Sequence, residues 1–115
     1  MKLRFLYAPG PSLQELLPFY RDELGLSEAW REGDKTVAFQ LPDSDVQVMV
    51  VGDEDIAPGP MYQIDSVAEF LKAKPHFKVS LQPREIPDGW VAGVEDPAGN
   101  VIYVFDQSSA TEATS

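Results

Sequence analysis

Short apolar runs, each ended by turn-forming residues, recur along the chain, and two further stretches have helical spacing. In the first half this pattern predicts a strand, a helix and three strands: Leu3 to Tyr7, Ser12 to Leu24, Ser27 to Arg31, Thr36 to Leu41 and Val46 to Val51. The second half repeats the order: Met61 to Ile64, Ser66 to Lys74, Phe77 to Gln82, Trp90 to Glu95 and Val101 to Phe105. Residues 52–60 contain glycines and prolines and are predicted to link the halves.

Two sequence repeats support this division into two βαβββ halves. The segment SLQELL, which begins at Ser12, resembles SVAEFL, which begins at Ser66, 54 positions later. Each predicts a capping box, in which a serine and a glutamate bond reciprocally across the first turn of a helix. Residues 37–50 can also be laid on residues 92–105, at an offset of 55. Because the two matches have nearly the same offset, they indicate that the second half of the chain repeats the first.

The first predicted helix contains a proline that its pattern does not explain. Pro18 lies in the interior, where a proline removes a backbone hydrogen bond and clashes with the preceding turn. We therefore expect a kink at Pro18, or a separate turn over residues 12–17. Gly25 is predicted to end the helix, because glycine readily adopts the left-handed conformation.

Three short motifs resemble those of the vicinal oxygen chelate superfamily, which is also called the glyoxalase/bleomycin resistance/dioxygenase superfamily. Residues 19–26, FYRDELGL, resemble its "FY…LG" helix end. Residues 96–100, DPAGN, resemble its "DP.GN" turn before the last strand, and residues 64–67, IDSV, resemble its entry to the second helix. The resemblance covers about residues 1–107.

The resemblance implies an α+β fold in which two βαβββ modules form a curved eight-stranded mixed sheet around a cleft, with the helices on the outer face. We expect a single domain over residues 1–107, with module one at 1–52, a linker at 53–60 and module two at 61–107. The small polar residues 108–115 are predicted to be a disordered tail. The resemblance also implies a homodimer.

Composition narrows the possible partners. The chain has 115 residues, no cysteine and a net charge of −10. This charge argues against nucleic-acid binding, which needs cationic side chains, and it is compatible with a cationic ligand. No apolar run is long enough to span a membrane, so we expect no membrane partner. The lack of cysteine, and of a signal-peptide stretch in residues 1–10, predicts a cytoplasmic location.

The superfamily's metal positions are occupied by residues that do not bind metals well. In metal-dependent members, His, Glu or Gln side chains enter the cleft from the first and fourth strands of each module. The resemblance carries these positions onto Phe5, Val48, Gly59 and Tyr103. The one histidine, His76, is expected on the surface, and Gln40, Gln47, Gln63 and Glu95 do not converge in the sequence. We therefore expect no metal, no cofactor and no catalytic residue.

Strand alternation instead predicts an apolar and aromatic cleft. If Tyr103 faces the cleft, so do the residues two positions away on its strand. The predicted ligand-binding residues are Phe5, Tyr7, Trp30, Phe39, Val48, Met61, Gln63, Trp90, Tyr103 and Phe105. Such a surface suits a planar or cationic organic molecule. The alternative is that these side chains pack on one another and close the cleft.

Three functions remain open at this point. The first is metal-independent binding of a small molecule, as in the bleomycin resistance proteins, where sequestration of an antibiotic-like ligand breaks no bond. The second is a metal-dependent lyase or dioxygenase that uses atypical ligands. The third is a regulatory or protein-interaction module.

Overall fold

The structure, a computed structural model, describes residues 1–108, so the predicted tail lies outside the described residues except for Ser108. The first half contains β1 (Lys2–Pro9), α1 (Leu13–Leu17), a π-helical segment (Pro18–Glu23), β2 (Ser27–Glu32), β3 (Thr36–Gln40) and β4 (Gln47–Val51). The second half contains β5 (Gly59–Gln63), α2 (Val67–Ala73), β6 (Lys78–Ile86), β7 (Gly89–Glu95) and β8 (Val101–Phe105). The α+β class and the eight-stranded mixed sheet are confirmed.

The chain forms two compact units, and each has the same internal strand order. The first module is Arg4–Gly59, and its strands follow the order β2-β3-β4-β1. The second module comprises Met1–Leu3 and residues 60–108, with the order β5-β8-β7-β6. In each module the first and fourth strands are parallel and the other pairs are antiparallel. Because β5 begins at Gly59, the last two residues of the predicted linker belong to a strand.

The first helix accommodates its proline by changing its hydrogen-bond pattern. A regular α-helix runs to Leu17, and a π-helical segment begins at Pro18. In this segment the Leu24 amide donates to the Phe19 carbonyl at 2.9 Å, a spacing of five residues. Gly25 then ends the helix with a φ of +71°, as predicted. The capping box at Ser12 is wrong, because the Ser12 side chain makes no capping hydrogen bond.

The second helix begins with the cap that the sequence predicts. The Ser66 hydroxyl accepts a hydrogen bond from the Glu69 amide at 3.1 Å. The carboxylate of Asp106, which the sequence did not point to, accepts a hydrogen bond at the same helix end. Asp106, which is 1% exposed, accepts from the Val67 amide at 2.7 Å and from the Trp90 amide at 3.0 Å. The end of β8 is thereby fastened to the starts of α2 and β7.

Each module buries one face of its strands under its own helix. In the first module, Val37, Phe39, Val48 and Val50 form a buried cluster with Leu13 of α1. In the second module, Ala92 and Val104 form a buried cluster with Val67 of α2. We call these surfaces the helix faces, and the other side of each module's strands its opposite face. No helix among residues 1–108 has the length and apolar character needed to cross a membrane.

Candidate functional site

The opposite face of the first module carries an aromatic pair and a chain of amides. The parallel pairing of β1 with β4 places Phe5 beside Gln47. The ring of Trp30 meets the ring of Phe5 edge to face, with centroids 6.0 Å apart and planes at 87°. The indole Nε1 of Trp30 donates to Gln47 Oε1 at 2.9 Å. These three side chains therefore form one connected, half-buried surface.

A second amide continues this chain towards a loop. Gln47 Nε2 donates to Gln40 Oε1 at 3.2 Å. Gln40 Nε2 in turn donates to the backbone carbonyl of Ser44 at 3.0 Å. The strand pairing of Gln40 with Gln47 brings the two amides together. We call the series Trp30–Gln47–Gln40–Ser44 the amide chain.

The opposite face of the second module is built around a buried tyrosine. Met61, Tyr103 and Gly93 lie in one row, because Tyr103 pairs with Met61 on one side and with Gly93 on the other. A Cβ atom at Gly93 would lie 2.9 Å from Cε1 of Tyr103, so only glycine leaves room for the ring in this position. In the next row, Gln63 pairs with Phe105 and its Nε2 donates to Gln107 Oε1 at 3.3 Å. This surface is aromatic, with one amide pair at its end.

Seven of the ten predicted ligand-binding residues lie on an opposite face: Phe5, Tyr7, Trp30, Met61, Gln63, Tyr103 and Phe105. The orientation expected for the other three is wrong. Phe39 and Val48 belong to the buried cluster under α1. Trp90 lies two residues before the buried Ala92 on β7 and so shares its helix face. A ligand-binding role for the seven remains a prediction.

A one-residue difference in loop length explains the error at Val48. The loop between β3 and β4 is residues 41–46, whereas the loop between β7 and β8 is residues 96–100. An alignment of the two halves without a gap therefore matches every residue of β4 to the wrong neighbour on β8. A shift of one residue moves a side chain to the other face of a strand. Met49, and not Val48, corresponds to Tyr103.

The first and fourth strands of each module do not present the residues of a divalent-metal centre. Their paired side chains on the opposite faces are Phe5 with Gln47, Tyr7 with Met49, Met61 with Tyr103 and Gln63 with Phe105. The Gln47 oxygen already accepts the Trp30 indole. Across residues 1–108, no three His, Asp or Glu side chains lie close enough together to hold a metal ion. The residues therefore do not fit the metal site that the resemblance implies for metal-dependent members.

A separate cavity of about 730 Å³ lies in the second module beside the turn of residues 96–100. Its lining includes His76, Phe77, Val94 and Ile102. His76 is exposed, as predicted, and its ring contacts Phe77 with centroids 5.0 Å apart. At its rim, hydrogen bonds from Asn100 hold the pKa of the Asp96 carboxyl below its usual value. The Asp96 carboxylate therefore stabilises the turn of residues 96–100 by accepting hydrogen bonds within it.

Solved structures of similar shape cover nearly the whole chain. The methylmalonyl-CoA epimerase from Mycobacterium tuberculosis has a TM-score of 0.68 at 14% identity, over 97% of this chain and 91% of that one. A glyoxalase/bleomycin resistance protein/dioxygenase superfamily member from Vibrio splendidus 12B01 has a TM-score of 0.65 at 15% identity, over 91% of this chain and 98% of that one. The NAD-dependent benzaldehyde dehydrogenase from Legionella pneumophila has a TM-score of 0.71 at 13% identity, over 89% of this chain and 96% of that one.

The chain has the fold of the glyoxalase/bleomycin resistance/dioxygenase superfamily. It matches no protein-family profile and no curated protein sequence. The similar structures bear the names of an epimerase and a dehydrogenase, and at this level of identity they show the fold alone. One fold can support many activities, so function has to be argued from the side chains.

Proposed function

We propose that this protein binds a small planar organic molecule on the opposite face of its first module and holds it without converting it. Sequestration of an antibiotic-like compound is the biological role that suits such binding. The observation that carries the proposal is the half-buried surface of the first module, where Phe5 and Trp30 supply ring area and Gln47 supplies a fixed polar group. Ligand pockets typically combine apolar walls with a few well-placed polar atoms.

The residue types on these faces favour binding over a metal-dependent reaction. Rings, a thioether and amides provide contact area and hydrogen bonds to an organic molecule. The positions that the resemblance assigns to metal ligands carry Phe5, Gly59 and Tyr103, and Met49 is the residue of the first module that corresponds to Tyr103. A lyase or dioxygenase with atypical ligands is the competing function, and the experiment below separates the two.

The two tryptophans give the test a matched control, because the chain has one on each kind of face. Trp30 lies on the opposite face of its module, and Trp90 lies on the helix face of its own. A thermal-shift screen of small planar compounds, with and without divalent metals, would first identify a ligand by the rise in Tm. We expect that ligand to quench the fluorescence of the Trp90→Phe protein, which retains Trp30, and not that of the Trp30→Phe protein.

Two results would contradict the proposal. If no planar compound raises the Tm or quenches either tryptophan, the protein does not bind this class of molecule. If a divalent metal raises the Tm and remains bound in stoichiometric amount after desalting, the competing metal-dependent function is favoured.

A homodimer is the assembly that we propose together with this function, and one surface favours a protein contact. Phe19 and Leu24, in and just after the π-helical segment, are 48% and 53% exposed. The hydrogen bond from the Leu24 amide to the Phe19 carbonyl keeps the two residues on adjacent turns. Exposed apolar side chains on adjacent turns can contribute to an apolar contact surface. The Phe19→Ser variant should therefore sediment as a monomer, and a wild-type protein that already sediments as a monomer would refute the homodimer.

A further inference from the structure

The amide chain has a direction, and this direction can be assigned without ambiguity. Side-chain amides are normally hard to orient, because their nitrogen and oxygen atoms look alike. Here each end of the amide chain is a group that can only donate or can only accept a hydrogen bond. The Trp30 indole can only donate, and the Ser44 backbone carbonyl can only accept. Gln47 must therefore turn its oxygen to Trp30, and Gln40 must turn its nitrogen to Ser44.

This direction determines which group Gln47 can offer to a ligand. Its oxygen lies on the side of the half-buried indole, which already donates to it. Its nitrogen carries two hydrogens, and one of them is donated to Gln40, whose side chain is exposed. Among residues 1–108, no hydrogen bond takes up the second hydrogen of the Gln47 nitrogen. The locked amide thus retains one N–H hydrogen that can be donated to a ligand, beside the rings of Phe5 and Trp30.

We infer that the ligand of this face is a planar molecule bearing a hydrogen-bond acceptor, such as an aromatic ketone, amide or carboxylate, and that Gln47 donates to its oxygen. The inference rests on the proposed function and narrows it to one class of ligand. Trp30 acts as a positioning residue, since its N–H is one of the two groups that orient the Gln47 amide. The net charge of −10 would favour a cation over long distances, so an acceptor preference has to arise from local contacts.

Two compounds with one ring system test the inference. 2-Acetylnaphthalene carries an acceptor, and 2-(aminomethyl)naphthalene carries a cationic donor in the same position. Titration calorimetry with each compound gives the ratio of the two affinities. We expect the wild-type protein to bind the ketone about two- to tenfold more tightly, which is the range that one hydrogen bond supplies.

Three variants separate positioning from simple loss of structure. Gln47→Met keeps the length of the side chain but removes the donor, so the ketone preference should disappear. Trp30→Phe keeps a ring but removes one of the two groups that fix the direction of the amide chain, so the ketone preference should fall, while the Ser44 carbonyl keeps it from reversing. Trp90→Phe, on the helix face of the other module, should leave the ratio unchanged.

The outcomes also distinguish this inference from the proposed function. If the wild-type protein binds the ammonium compound more tightly, or if Gln47→Met keeps the ketone preference, the inference is wrong and the binding function stands. If neither compound binds and no other planar compound raises the Tm, the binding function fails and the inference fails with it.

Discussion

Replacing Asp106 by alanine should lower the free energy of unfolding of the second module by about 3–5 kcal/mol. Asp106 is 1% exposed and has two buried oxygens that fasten three segments together. One oxygen accepts from the Val67 amide at 2.7 Å. The other accepts from the Trp90 amide at 3.0 Å and from the Ser108 hydroxyl at 3.0 Å. Alanine removes every one of these acceptors and replaces none of them.

The expected magnitude follows from the groups that lose their partner. A buried donor left without an acceptor costs about 1–3 kcal/mol, and the Val67 and Trp90 amides both lose theirs. Their sum is about 2–6 kcal/mol. The Ser108 hydroxyl can rotate towards another acceptor, so we add nothing for it. Water that enters the space left by the carboxylate would satisfy part of the loss, which excludes the upper end of this range.

Urea unfolding in the Trp30→Phe background would measure this loss. The one remaining tryptophan is then Trp90, which lies in the affected module. The Trp30→Phe background removes the tryptophan of the first module, so the fluorescence change reports the second. Asp65→Ala is the matched control, since it removes an exposed carboxylate near the same end of α2 and should change the free energy by less than about 0.5 kcal/mol. A loss below about 1 kcal/mol for Asp106→Ala would refute the reasoning from buried hydrogen bonds.

Two further predictions concern the same module. Hydrogen bonds from Asn100 hold the pKa of Asp96 below its usual value. The ionised carboxylate therefore stabilises the fold above the unfolded-state pKa of about 4. This contribution is lost as the pH falls through the lower folded-state pKa. The destabilisation by Asp96→Asn, measured by urea unfolding, should therefore be present at pH 7 and absent near pH 2; equal destabilisation at both would contradict this. Gly93→Ala should cost about 1–3 kcal/mol, because its Cβ would press on the Tyr103 ring, and an unchanged urea midpoint would contradict this.

The order of the elements could be predicted from the sequence because it depends on local signals. Serine before a helix and glycine after one act within a few residues, and the Ser66 cap and the Gly25 stop both appear in the structure. The response to Pro18 could not be predicted in the same way. A kink and a separate turn were the expected outcomes, whereas the chain continues as a π-helical segment whose bonds depend on the following residues.

The candidate site was harder to predict because it depends on which face a residue occupies. The face changes with every residue, so the one-residue difference between the loops at 41–46 and 96–100 was enough to misplace Val48. The role of Asp106 was missed for another reason. Its partners, Val67 and Trp90, are 39 and 16 residues away in the sequence, and no local pattern connects them.

The internal repeat that reveals the fold is itself a poor guide to the site. On the helix faces, Phe39 paired with Val48 corresponds to Val94 paired with Ile102, and all four residues are apolar.

The opposite faces do not preserve such a correspondence. Gln40 pairs with Gln47 in the first module, whereas Glu95 pairs with Val101 in the second. Glu95 instead forms an ion pair with Lys78 at 3.5 Å. Both modules need an apolar surface under their helix, so duplication preserves that surface, while the opposite faces are free to diverge. The amide chain occurs in one module alone among residues 1–108, so the fold that both modules share does not require it.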